Sequence, residues 1–401
     1  MADTPSQKAL LQGLCYVIGA RRAVVLPSKA NPKLVVPMCN LRARWRLSAF
    51  YPAFKWRAKL WRVLQRFRSC VGFSPTFDTS KNQTVLNFIV DVLPSVTHTS
   101  VLLGTPGPNR KIIVQLWQKR ELVGYLKVAT TPSAGHKIKS EAMVLEQLVP
   151  GLGPNLLKCG ELDGFAAMIL SPVNGEMLTA RLPASVDSCE FTVVKEYLAQ
   201  LRISDQLFAI DEHPAMVRLR EQLLNSPEDP SLILDVVKFE EWLVPLRERT
   251  WPVVIQHGDF APWNVLRVAV EERGPRPAIS GPRSEEKGQN AENKNQIANR
   301  GASSLCAIDW EEGAAEGFPY FDWIHYVSQT AALIEKWSAT DCVRYLMGGL
   351  KELPVPVRRS VIKLGLLASC LMLKETLNGP HWILDWKAEA GRIADESFAD
   401  T

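Results

Sequence analysis

The chain reads as an α+β protein: a small lobe on an antiparallel sheet, then a larger and mainly helical lobe, with a basic N-terminal extension in front. Three observations predict this. Short β-like runs separated by turns fill residues 101–129, apolar residues recur at helical spacing from 193 to 246 and from 345 to 373, and the first 100 residues differ sharply in charge from the rest. Over residues 1–100 there are 15 Lys/Arg against 3 Asp/Glu, a balance of +12, so the total of +5 leaves −7 for the remainder. The boundaries expected from these shifts are an extension over 1–95, a small lobe over 96–172 and a large lobe over 173–401.

Length and composition permit this. At 401 residues and 46% apolar the chain holds enough material for two or three cores. No apolar run reaches the roughly 18 residues that span a bilayer. The run Ala9 to Ala20 is shorter and has Arg21 and Arg22 behind it, whereas a signal peptide carries its positive charge in front. A cytoplasmic chain is expected, with peripheral membrane contact as an option. Eight scattered cysteines without a Cys-x-x-Cys pair predict neither a zinc site nor a disulfide framework.

In the extension, Ala23 to Leu26 and Leu34 to Val36 are apolar runs split by Pro27, Asn31 and Pro32, which suits a small hairpin. From Leu41 to Arg68 nine Lys/Arg meet no acid and alternate with aromatics. Trp56, Leu60, Val63 and Phe67 fall on one helical face, with Lys55, Lys59, Arg62 and Arg66 on the neighbouring one. Two readings follow: the apolar face packs on the lobes and the charges are solvated, or the helix lies on an anionic membrane surface. Nucleic acid is not the expected partner.

In the small lobe, Val101 to Leu103, Ile112 to Trp117 and Leu122 to Ala129 are predicted strands of a meander. Gly104 and Gly107 mark the first turn, though not as a full Gly-x-Gly-x-x-Gly. Lys127 points inward on the third strand if alternation holds, and a buried ammonium requires anionic partners. A helix follows from about Lys137 to Leu148, carrying Glu141 and Glu146. A strand from Phe165 to Leu170 then runs into Ser171 to Gly175. Helical segments build the large lobe, among them Leu364 to Met372, whose all-round apolar character predicts a buried helix.

The most informative stretch is His257-Gly258-Asp259-Phe260-Ala261-Pro262-Trp263-Asn264, entered and left by apolar runs. An Asp with an Asn five positions later puts a proton acceptor and a magnesium-holding amide on one short loop, the spacing used for phosphoryl transfer. Downstream, the strand-like Leu305 to Ile308 ends at Asp309-Trp310-Glu311-Glu312-Gly313, where a second metal ligand belongs. Between them, 267–304 is rich in Gly, Pro and polar residues with little to bury, and is expected to be a disordered surface insertion.

The His-Gly-Asp loop, the Asn five residues after its Asp and the Ile-Asp-Trp-Glu strand resemble the aminoglycoside phosphotransferase and choline kinase-like family, over roughly Ser100 to the C-terminus. The resemblance implies a bilobal protein kinase-like fold and an ATP- (or GTP-) and Mg²⁺-dependent transfer of the γ-phosphate to a small-molecule hydroxyl: a sugar, amino sugar, amine alcohol or lipid-linked saccharide. Asp259 would be the base, with His257 bracing the loop and Gly258 giving the tight turn. Asn264 and Asp309 would hold the metal, and Lys127, paired with Glu141, would contact phosphates. Leu170, Pro172 and Val173 would line the purine at the hinge, Asp322 would fix the loop, and Glu311 matches a position near the metal strand. Glu311, Glu312, Glu316 and Asp322 together would make a cation-friendly acceptor pocket. The other readings are a non-catalytic nucleotide-binding scaffold recruited by the basic leader, and a protein kinase; the latter lacks Asp-Phe-Gly and Ala-Pro-Glu segments.

Overall fold

A computed structural model describes residues 5–15, 21–28, 30–50, 56–71, 74–178, 181–225, 236–268, 304–376 and 382–394. In the first half, α1 (Pro5–Leu14) precedes the hairpin β1 (Arg22–Pro27) and β2 (Pro32–Pro37), then come α2 (Leu41–Leu47), α3 (Trp56–Val71), β3 (Thr76–Asp78) and α4 (Gln83–Val90). The meander β4 (His98–Leu103), β5 (Lys111–Gln118) and β6 (Glu121–Ala129) leads to α5 (Pro132–Gln147) and the hairpin β7 (Leu156–Leu162) and β8 (Phe165–Leu170). All eight strands form one antiparallel sheet in the order β3-β1-β2-β4-β5-β6-β8-β7.

The expectation of a separate N-terminal extension is therefore corrected. Three of the eight strands come from it, because Leu34 and Val35 of the predicted hairpin pair with Leu102 and Val101 of β4. Its helices α1 and α4 also cover one face of the sheet, where Leu10, Leu14, Val85, Phe88 and Ile89 pack on Val101, Val114, Leu126, Val128 and Ile169. Alternation along β6 then sends Lys127 to the opposite face, toward α5 and the large lobe.

The large lobe begins at β9 (Glu176–Met177) and continues through α6 (Cys189–Ala199), β10 (Arg202–Ala209), α7 (Pro214–Leu224), α8 (Val236–Leu243), β11 (Thr250–Gln256), β12 (Val265–Val268), β13 (Ser304–Ala307) and β14 (Ala314–Gly317). Helices α9 (Phe321–Thr330), α10 (Ala339–Gly349), α11 (Val355–Thr376) and α12 (Trp382–Ile393) complete it. Two three-stranded sheets, β10-β11-β14 and β13-β12-β9, carry the loops, and the helices enclose one large core with Phe191, Tyr326, Val327, Leu346 and Leu364 at its centre. Leu364, Leu366 and Leu367 are buried as their apolar surroundings demand. None of the described helices is long and apolar enough to cross a membrane. The arrangement is the bilobal one expected from the sequence, an antiparallel sheet lobe followed by a larger, mainly helical lobe. Residues 269–303 of the expected insertion lie outside the described residues.

Candidate active site

Lys127 is where the two lobes meet. Its Nζ donates to both carboxylate oxygens of Glu141, at 2.7 and 2.9 Å, and to Asp309 Oδ1 at 2.8 Å. The helix that presents Glu141 starts earlier than expected because Thr131 caps Ala134 N and Pro132 occupies the first turn. From that start, Ala134, Ile138, Glu141, Ala142 and Leu145 form one buried face, which turns Glu141 inward and leaves Glu146 exposed. Burial by itself depresses the Lys127 ammonium, but Asp309 and Glu141 outweigh it and hold it above its ordinary value. Conversely Lys127 holds Asp309 well below the usual carboxylate range, against burial.

Asp309 reaches this cluster through strand register. Antiparallel pairing sets Val265 opposite Ala307, and the next bond, Ile308 N to Asn264 O at 2.8 Å, ties the loop end to the residue before Asp309. Asp309 itself sits at φ +66°, a left-handed conformation that costs a non-glycine residue free energy and turns its carboxylate out of the strand. The hairpin thus lodges Asn264 and Asp309 side by side, with whatever chain lies between β12 and β13.

The loop is held by buried contacts. Asp322, near the start of α9, accepts from His257 N at 2.7 Å and Gly258 N at 2.9 Å, and its burial raises its pKa. His257 is fully buried; its Nε2 donates to Ile308 O at 2.9 Å and its ring lies 4.6 Å from that of Trp310. That makes it a brace between the loop and the end of β13, closed off from solvent. Gly258 has φ +82°, and a Cβ there would fall 2.2 Å from the Glu312 carbonyl oxygen, so only glycine fits. Asn264 Nδ2 donates to Asp259 O at 2.9 Å and Oδ2 at 3.0 Å, which fixes the carboxylate and leaves the amide oxygen Oδ1 for a cation.

Three residues went unnoticed in the sequence. His325 Nε2 lies 3.1 Å from Asp259 Oδ1, its Nδ1 lies 2.7 Å from Ser369 Oγ, and the Ser369 hydroxyl also receives a bond from Lys387. His325, Ser369 and Lys387 are all buried and come from α9, α11 and α12. The one available cue was that His325 follows Asp322 by three, on the same side of a helix whose first seven residues are otherwise apolar.

The cation-friendly pocket is corrected. Glu311 pairs with Lys111, Glu312 with Lys137, Glu316 with Arg218, and Asp322 is taken up by loop amides. A cavity of about 170 Å³ does open beside the loop, bordered by Gly258 and His325 and further by Gln222, Gln256, Glu312 and Ser369. On the other side of the cleft, Leu170 is buried at the end of β8, and Pro172 and Val173 are half-buried in the segment that links the sheet to β9. Ser171 N bonds to Asn155 O there, and Leu178 N to Val265 O, so this segment is the connection between lobes.

The oxygen donors left open, one from Asn264 and one from Asp309, suit a hard divalent ion that completes its shell with phosphate and water, as Mg²⁺ does. Among the described residues no group of three or more His, Cys, Asp or Glu could hold a metal ion by itself. No protein-family model matches the chain, and comparison with curated proteins finds no match. Solved structures that it is similar to include a choline/ethanolamine kinase family protein from Mesorhizobium loti (10% identity, TM-score 0.41, 74% of this chain and 88% of that one). An aminoglycoside-3'-phosphotransferase of type VIII (16%, 0.35, 64% and 88%) and a macrolide 2'-phosphotransferase from Brachybacterium faecium (14%, 0.36, 75% and 93%) are others.

Proposed function

We propose that the chain is a phosphotransferase that moves the γ-phosphate of ATP, or GTP, to a hydroxyl of a small molecule. The observation that carries this is the convergence, at one cleft, of the Lys127–Glu141 pair with Asp309 and, through the Asn264–Ile308 tie, with Asp259. In phosphoryl transfer the enzyme positions the acceptor in line and neutralises charge. Asp259 receives the hydroxyl proton as the new O–P bond forms and the bond to the bridging oxygen breaks, releasing the nucleoside diphosphate. Lys127 exchanges Asp309 for phosphate oxygens while Glu141 keeps its direction. Asn264 and Asp309 would hold Mg²⁺, whose charge favours the phosphates in the transition state. Backbone groups of Leu170, Pro172 and Val173 receive the purine.

The cavity bordered by His325 and Gly258 lies beside the loop that carries Asp259. Because Glu312 and Glu316 near that cavity are paired with Lys137 and Arg218, the uncharged polar part of its lining, Gln222, Gln256, Ser369 and His325, favours a polyol, such as a sugar, over an amine alcohol. The test is nucleotide turnover against a panel of sugars, amino sugars and amine alcohols. Asp259→Ala is expected to lower turnover at least about 1,000-fold, with nucleotide affinity and melting temperature kept. Retained turnover removes Asp259 from the mechanism; nucleotide binding without consumption of any panel member favours the non-catalytic scaffold instead.

A further inference from the structure

Helix α3 packs inside out. Its inward face carries Gln65 and Ser69, both buried, with Ser69 Oγ 3.4 Å from Ser48 Oγ and the Ser69 carbonyl accepting from Arg44 at 3.0 Å. Facing water instead are Leu60, at 62% exposure, Val63, Leu64, Phe67, at 57%, and Val71. The positions 60, 63, 64, 67 and 71 follow the helical repeat, so they form one stripe about 16 Å long. Exposed Trp61 flanks it, and exposed Leu41 and Trp45 of α2 extend it. The reading in which the apolar face packs on the lobes is corrected, since the packed side is the polar one.

Charge decides what covers such a stripe. Arg57 and Lys59, both exposed, flank it, and Arg66 lies beyond Lys59, held in place by donating to Trp45 O at 3.0 Å with its guanidinium 4.2 Å from the Trp45 ring. From Thr4 to Phe77 the chain contains no Asp or Glu. A second copy would bring the same cations face to face, and nucleic acid offers nothing to an aliphatic row. A sheet of anionic headgroups over hydrocarbon satisfies both features: apolar side chains enter the boundary, and the cations meet the headgroups. We propose that α3, with Leu41 and Trp45, docks this protein on an anionic lipid surface, the helix lying in the plane of the interface.

Flotation of the full chain with vesicles tests it. Recovery is expected with vesicles of three parts phosphatidylcholine to one part phosphatidylserine, at least tenfold less with phosphatidylcholine alone, and falling as salt rises. Leu60→Glu with Phe67→Glu, both at exposed positions, should keep the parent melting temperature and cut recovery at least tenfold; Arg57→Glu with Lys59→Glu should do the same. If the first pair melts early, Val63→Ser with Phe67→Ser is judged by the same criterion. Absence of parent flotation, or equal flotation of the apolar-stripe variant, overturns the proposal. So does a dimer in light scattering that Phe67→Glu splits, which would give the stripe to a second copy, or binding to polyuridylate RNA by a parent that ignores the vesicles.

Discussion

His325 is neutral at physiological pH, since burial pushes its pKa down to about 4 against the pull of Asp259. Its Nε2 therefore carries the proton shared with Asp259, and its Nδ1 accepts from Ser369. The arrangement fixes one carboxylate oxygen of Asp259 while Asn264 fixes the other. His325→Ala should lower kcat roughly 10–100-fold while acceptor KM and nucleotide Kd change less than threefold. Combined with Asp259→Ala it should cost nothing more, and full additivity would show that the two act separately.

At the end of the same chain, Lys387 is fully buried and its pKa is lowered by burial from 10.5 to about 8. Below pH 8 both folded and unfolded chains carry the proton and the folded state bears the whole burial penalty. Between about 8 and 10.5 the unfolded chain binds more protons, so stability rises with pH and the penalty fades. At about 1.4 kcal/mol per pKa unit, Lys387→Met should stabilise the protein by on the order of 1–3 kcal/mol at pH 7 and by little at pH 10. Urea melts at both values check this; parity at pH 7 sinks it. The residues of the loop and strand end were legible because proton transfer and metal binding restrict the side chains that can serve. His325, Ser369 and Lys387 were not, since their meaning comes from contacts between helices far apart in sequence.

At the level of elements, the coupling of β6 to α5 matters most. Strand alternation turns Lys127 inward, and the cap at Thr131 sets the phase that brings Glu141 to it. Glu141→Gln leaves Asp309 as the only full charge on Lys127, so nucleotide affinity should fall about tenfold and stability by roughly 1–3 kcal/mol, less than for a buried pair broken outright. Calorimetric titration and urea melts read the two effects, and an unchanged nucleotide Kd would mean that Glu141 does not orient Lys127. The meander and the hairpin β1–β2 were readable from apolar runs and prolines. The start of α5 was placed too late because its first turn, Pro132 to Lys137, is not apolar, and capping rather than periodicity defines it. For α3 the periodicity was read correctly, but which stripe faces the protein depends on where Ser48 and Arg44 lie.

At the level of the whole molecule, charge is distributed by pairing across lobes. Lys111 with Glu311 and Lys137 with Glu312 tie the sheet lobe to the segment after β13, alongside Lys127 with Asp309. Composition marked the acids after β13 as a potential cation site; only the fold could reveal that lysines of the other lobe claim Glu311 and Glu312, Arg218 claims Glu316 and loop amides claim Asp322. The boundary near residue 95 was drawn from net charge, which says nothing of backbone pairing, and the sheet runs through it.

That continuity bears on how the protein can be shortened. Cutting away residues 1–95 would strip β2 from β4 and leave a row of unmatched amides and carbonyls, and would also lay bare Val101, Val114, Leu126 and Val128 beneath α1 and α4. Such an edge recruits other strands. A trimmed chain would clump for reasons unrelated to lipid or catalysis, so the leader's contribution is to be read from single surface side chains on an intact sheet.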